Sequence, residues 1–166
     1  MYQRILLAYD GSREGLVALR EGALMARRYG AKVYLLSIVP ASTGMRVAEG
    51  VHAEVVGPEI ESYKALLERG VAVARQLGLD PVAKLKVGEP APIIGAFARE
   101  IDADLLILGH RRTTLLERWW SGASGAYVTD YVNCSVLIGR TSISDEAFDA
   151  ELRRFEAAAP APADSA

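Results

Sequence analysis

The chain has 166 residues, 51% of them apolar and 24% charged, with a formal net charge of −2. That length fits one domain with a self-sufficient core. The near-neutral balance argues against a nucleic-acid partner, and no apolar run reaches the roughly 18 residues of a membrane span. A single cysteine, Cys134, excludes an internal disulfide framework and fits a reducing compartment. The start, MYQRILLAYDGS, lacks a signal-peptide layout. The expectation is a soluble cytoplasmic protein.

In chain order, Arg4 to Tyr9 (RILLAY) is a short apolar run ended by Asp10-Gly11, as a buried strand with a tight exit would be. Ser12 is a candidate N-cap. Leu16, Leu19, Ala23 and Ala26 recur at helical spacing through Tyr29, and Gly30 supplies a stop. Lys32 to Val39 (KVYLLSIV) predicts the second strand, ended by Pro40. Ala41 to Gly57 has mixed signals and reads as a loop. Pro58 suits the first turn of a second helix, whose face is Ile60, Tyr63, Leu67 and Val71, ending near Leu77-Gly78.

Val82 to Val87 (VAKLKV) alternates apolar and polar, which suits a strand near a sheet edge. Gly88-Glu89-Pro90 turns the chain into a third helix marked by Ile93, Ile94, Phe97 and Ile101. Asp104 to Leu108 (DLLIL) is the fourth strand, Ser121 to Tyr131 a fourth helix, and Ser135 to Ile138 (SVLI) the fifth strand. Ser144 is placed to cap a last helix, Asp145 to Ala157, with Phe148, Leu152 and Phe155 on one face. From Thr141 to Ala166 there are six acids and two arginines, against 17 basic and 15 acidic residues elsewhere. The expected organisation is a domain over 1–140 and an acidic C-terminal extension over 141–166 whose APAPADSA end is disordered. That last helix is expected either to cover a dimer interface or sheet edge, or to be a loosely attached tail.

Alternating strands and helices imply an α/β fold: a five-stranded parallel sheet with helices on both faces and right-handed crossovers. The first and fourth strands are the most continuously apolar and so belong at the centre, giving the order 3-2-1-4-5. Ligands in such sheets bind beyond the carboxyl ends of the strands where the order reverses. Here that point lies between Ala8 to Ser12 and Gly109 to Arg112.

The stretch after the fourth strand, GHRRTTLLERWWSGAS, has a glycine near each end, Gly109 and Gly122, a layout that lets backbone N–H groups approach a phosphate. Both glycines equally suit a turn and a helix start. Asp10 reads either as a ligand contact or as an Asx turn shaping the first helix. Arg111 and Arg112 read as a solvated or dimer-contacting pair, or as a phosphate clamp. Adjacent Trp119 and Trp120 point in different directions, so they do not share one pocket. His110 lacks a paired acid or nucleophile, His52 lies in the uncertain loop, and Cys134 reads as buried rather than reactive. No cluster has metal-ligand spacing, and Glu89 and Glu117 are isolated, so no catalytic residues are assigned.

ILLAYDGS, KVYLLSIV, Gly88-Glu89-Pro90, ADLLILGHR with its glycine-led helix, and SVLIG occur here in an order and spacing that resemble the universal stress protein family, of UspA-like fold, over nearly everything from Met1 to Arg140. The resemblance implies a Rossmann-like fold of the adenine nucleotide alpha hydrolase type and a regulatory or protective role in stress response, not an enzyme. It also implies a homodimer paired through the edge strand Ser135 to Ile138. In the nucleotide-binding branch, the loop after strand 4 reads G-x2-G-x9-G-[ST] and holds phosphates. Gly109 and Gly122 fill the first and third glycines. Arg112 replaces the second, and Ala123 stands at the [ST] position with Ser124 one step later. Asp10 matches the acid that holds the ribose, and Ile38 the backbone at the adenine edge. The nucleotide-binding set so implied is Ala8, Tyr9, Asp10, Ile38, Gly109, Arg111, Arg112, Gly122, Ala123 and Ser124. The ligand would be ATP, with Mg²⁺, or AMP. The alternative is a dimeric interaction module in which Arg112 and Ala123 have ended nucleotide binding. A hydrolase ranks last, since no general base or Walker lysine is evident.

Overall fold

Strands β1 (Arg4–Ala8), β2 (Lys32–Pro40), β3 (Val82–Gly88), β4 (Leu105–Gly109) and β5 (Ser135–Gly139) form one sheet in the order β3-β2-β1-β4-β5. All four pairings are parallel. The computed structural model describes residues 1–40, 53–109, 128–139 and 143–158. The predicted order is the observed one. β1 and β4 are covered on both faces, whereas β3 is an edge whose Ala83, Lys84 and Val87 are exposed.

Helix α1 (Arg13–Tyr29) begins and ends where its sequence signals put it. The Ser12 hydroxyl accepts from the Gly15 N–H at 2.9 Å, and Gly30 closes the helix in the left-handed region at φ 62°. Helix α2 (Ala53–Gln76) differs from expectation. It begins before Pro58, which lies inside it, so residues 53–57 are helical rather than loop. A proline this near a helix start forfeits only the bond to the carbonyl of Glu54, and Ala53 and Glu54 are good helix formers. Helix α3 (Pro90–Glu100) follows the Gly88-Glu89-Pro90 turn as predicted. Of the expected helix from Ser121 to Tyr131, the described part is a 3-10 turn, Val128–Asp130, not α-helix. The final helix α4 (Asp145–Ala158) is capped by Ser144, whose hydroxyl accepts from the Ala147 N–H at 3.1 Å.

Strand alternation splits the core in two. Ile5, Leu7, Val33, Leu35 and Ile107 face α1 and α2, while Leu6, Ala8, Leu36, Ile38, Leu106 and Leu108 face α3, packing on Ile94 and Phe97. At the amino ends of the strands Asp104 lies just outside β4. Its carboxylate accepts from the Gln3 and Arg4 N–H groups, and its own N–H donates to the Arg4 carbonyl at 3.0 Å. That clamp sets the β1–β4 register.

Helix α1 sits unusually close to the carboxyl ends of β4 and β5. A Cβ on Gly109 would lie 2.5 Å from the Glu14 carbonyl oxygen, and one on Gly139 would lie 2.8 Å from the Ala18 Cα. On the outer side, α4 packs Phe148, Leu152 and Phe155 around Ala23, Leu24, Val73, Leu77 and Leu79. The Arg20 and Arg27 guanidiniums lie 4.9 and 5.5 Å from the Phe148 and Phe155 ring centres. The helix thus rests on α1 and the end of α2 rather than on a strand edge.

Three substitutions probe these contacts and turns. Gly139→Ala forces backbone apart and is expected to lower the unfolding free energy in urea by about 1–3 kcal/mol. Gly30→Ala meets nothing within 4 Å, so only its backbone strain of about 1–2 kcal/mol applies. Phe148 is 2% exposed, and Phe148→Ala is expected to cost about 3 kcal/mol. A loss under 1 kcal/mol would mean that α4 is only loosely held.

Candidate functional site

Beyond Ala8 the β1 chain leaves the sheet at the point where the strand order reverses. Ala8 pairs with Leu36 on one side and Leu108 on the other. Tyr9 keeps one more ladder bond, its N–H donating to the Leu36 carbonyl at 2.9 Å. Its ring is buried on the α1–α2 side, where a Cβ on Gly70 would lie 2.9 Å from the ring. Burial pushes the Tyr9 phenol above its ordinary value, with Asp10 adding to the shift and Arg69 opposing it.

Asp10 follows, half-buried. Its Oδ1 accepts from the Ser12 N–H at 2.9 Å and from the Ser12 hydroxyl. The Asx turn proposed from sequence is therefore present. Because both bonds engage Oδ1, Oδ2 has no hydrogen-bond partner among the described residues. Gly11 at φ 75° completes the turn beneath Leu66 of α2, which a Cβ there would strike. The turn is thus held from two sides, by α1 through Ser12 and by α2 through Leu66.

Ala8, Ile38 and Leu108 are buried together on the α3 side and form an apolar floor at the strand ends. Gly109 ends β4 beside them, and its lack of a side chain is explained by the backbone of Glu14 and Gly15. Of the sequence-derived set, the structure brings Ala8, Tyr9, Asp10, Ile38 and Gly109 to one end of the sheet. Arg111, Arg112, Gly122, Ala123 and Ser124 lie outside the described residues, as do His52, His110, Trp119 and Trp120.

Sequence reasoning passed over Ser37. It is fully buried, and its hydroxyl donates to the Tyr9 carbonyl at 2.7 Å. Its signal was there: a lone serine in the otherwise aliphatic and aromatic run VYLLSIV. Cys134 is half-buried, at the opposite end of the sheet before β5, and burial pushes its thiol up. No group of three or more His, Cys, Asp or Glu side chains suited to a metal occurs among the described residues. Among them also, no helix is long and apolar enough to cross a membrane.

Residues 1–140 match the family described as the universal stress protein family. A putative universal stress protein of Staphylococcus aureus is 30% identical over 142 residues, covering 84% of this chain and 85% of the relative. Another, of Staphylococcus haemolyticus, is 29% identical over 153 residues, with 91% and 92% covered. Among solved structures, a universal stress protein in complex with cAMP superposes with a TM-score of 0.63 at 26% identity, over 85% of this chain and 99% of that one. A universal stress protein of Archaeoglobus fulgidus in complex with dAMP gives 0.59 at 25% identity, over 82% and 97%.

The buried phenol beside the turn has a pH consequence. Tyr9 is held neutral in the fold above its ordinary value of 10.0. Its contribution is therefore complete below about pH 10 and is lost as pH rises through the folded value. Urea unfolding between pH 8 and 11 is expected to show stability falling at the alkaline end, and less steeply in Tyr9→Phe. Equal slopes in the two proteins would refute the assignment.

Proposed function

This chain belongs to the universal stress protein family, and on that premise we propose that it binds an adenine nucleotide, AMP or ATP, in the crevice beyond β1 and β4. The observation that carries the reading is Asp10. It stands at the reversal of strand order with Oδ1 committed to Ser12 and Oδ2 uncommitted among the described residues. A carboxylate oxygen held in place but unsatisfied suits the hydroxyls of a ribose. The buried floor of Ala8, Ile38 and Leu108 suits the flat face of a purine. The solved relatives that hold cAMP and dAMP support the same ligand class.

In this proposal Gly109, Arg111, Arg112, Gly122, Ala123 and Ser124 form the phosphate side. Arg112 replaces the glycine of the family motif with a guanidinium able to pair with a phosphate, and Ser124 stands in for the hydroxyl that Ala123 lacks. Mg²⁺ would accompany ATP on its phosphates. The protein acts as a cytoplasmic stress-response regulator, not as an enzyme. It works as a homodimer through β5, which is a sheet edge with β4 as its single neighbour among the described strands.

One observation favours a second reading, a dimeric interaction module that binds no nucleotide. Gly109, the first glycine of the motif, is fully accounted for by its contact with α1. Calorimetric titration of AMP and ATP, with and without Mg²⁺, separates the two. The nucleotide reading expects saturable binding, weakened about tenfold to a hundredfold in Asp10→Ala through loss of a charge-assisted hydrogen bond. It also expects weaker binding in Arg112→Gly, which removes the guanidinium assigned to a phosphate. Absence of heat at millimolar nucleotide would leave the interaction module.

A further inference from the structure

The family resemblance places the Ile38 backbone at the adenine edge but assigns nothing to the buried Ser37 beside it on β2, whose hydroxyl donates to the Tyr9 carbonyl. β2 runs four residues beyond its last pairing with β1, from Ser37 to Pro40, with β3 alone beside it. In a parallel ladder successive bonds follow a fixed alternation. The Tyr9 N–H donates to the Leu36 carbonyl, so the next bond would run from the Ile38 N–H to the Tyr9 carbonyl. That bond is not formed. The Tyr9 carbonyl instead accepts from the Ser37 hydroxyl at 2.7 Å. The Ile38 N–H, two residues past Leu36 and on the same edge of the strand, has no hydrogen-bond partner among the described residues.

An unpaired N–H on a residue only 6% exposed is unusual, because buried backbone donors are nearly always satisfied. It lies beside the apolar floor and at the strand end nearest Asp10. We infer that Ser37 is a positioning residue whose hydroxyl occupies the Tyr9 carbonyl and so keeps the Ile38 N–H open to an acceptor nitrogen of a purine base. The inference rests on the nucleotide reading for the identity of the acceptor, but not for the hydrogen-bond exchange itself. Ser37 does not touch the ligand. It stops the β1–β2 ladder one bond early, and the unused donor becomes part of the crevice. Any apolar residue at position 37 would let the ladder close by one step. Threonine, which keeps a hydroxyl and suits a strand, would preserve the arrangement.

The test is amide hydrogen exchange followed by NMR on the intact chain, with AMP titrations of the same samples. In the wild type the Ile38 amide is expected to exchange at least about tenfold faster than the bonded Tyr9 amide, as an unbonded donor should. Ser37→Ala is expected to slow Ile38 exchange toward that of Tyr9 and to weaken AMP about tenfold, the effect of one lost hydrogen bond. Ser37→Thr is expected to match the wild type in both. A general loosening of the fold would speed exchange throughout, so slowing at Ile38 alone separates positioning from simple destabilisation. An Ile38 amide as protected as Tyr9 in the wild type, or unaltered by Ser37→Ala, would overturn the inference. If the wild type binds no AMP, the nucleotide reading falls, and the exchange comparison still decides the role of Ser37.

Discussion

The close seat of α1 on the carboxyl ends of β4 and β5 is the constraint on which the rest of this structure depends. The helix presents Gly15, Ala18 and Gly22 to the sheet, and the strands answer with Gly109 and Gly139. With no side chain to hold them apart, helix backbone and strand backbone come to van der Waals contact. The first turn of α1 is thereby fixed over the end of β4. Because Ser12 caps that turn and also donates to Asp10, the position of the carboxylate follows directly from the packing of small residues several ångströms away.

The other side of the crevice is set by β2. Its length beyond β1 exposes one strand edge, and the buried Ser37 hydroxyl decides how much of that edge β1 consumes. Among the described residues, two polar groups are thus left uncommitted at one place, a carboxylate oxygen on Asp10 and an N–H on Ile38. Beside them lie Ala8 and Leu108, with no polar side chain of their own. Unsatisfied groups beside an apolar floor are a poor way to stabilise a fold and a reasonable way to hold an amphipathic ligand. The extra helix α4 supports this geometry only indirectly. It covers Ala23 and Leu77 on the outer side of α1 and α2, adding to the burial that holds α1 in place.

Much of this was legible from residues alone. Continuous apolar runs placed β1 and β4 at the centre, and the alternation of VAKLKV placed β3 at an edge. Ser12 and Gly30 bounded α1 because capping is local chemistry. The start of α2 was misjudged because proline is a helix-start signal only when the residues before it resist helix, and Ala53 and Glu54 do not. The reason for Gly109 could not be read from its neighbours in sequence, since the atoms that exclude a side chain belong to Glu14 and Gly15. Ser37 was hidden for the same cause: a hydroxyl in a strand declares a partner but not which one. Asp10 was identified, but the division of labour between its two oxygens is a matter of three-dimensional geometry.

A crystal structure of the protein grown with AMP tests the central claim most directly. The account predicts density for the nucleotide beyond the ends of β1 and β4, the purine against Ala8 and Ile38 with a base nitrogen on the Ile38 N–H, and the ribose on Oδ2 of Asp10. A structure at millimolar AMP with that crevice free of nucleotide, or with AMP bound elsewhere on the chain, would contradict it.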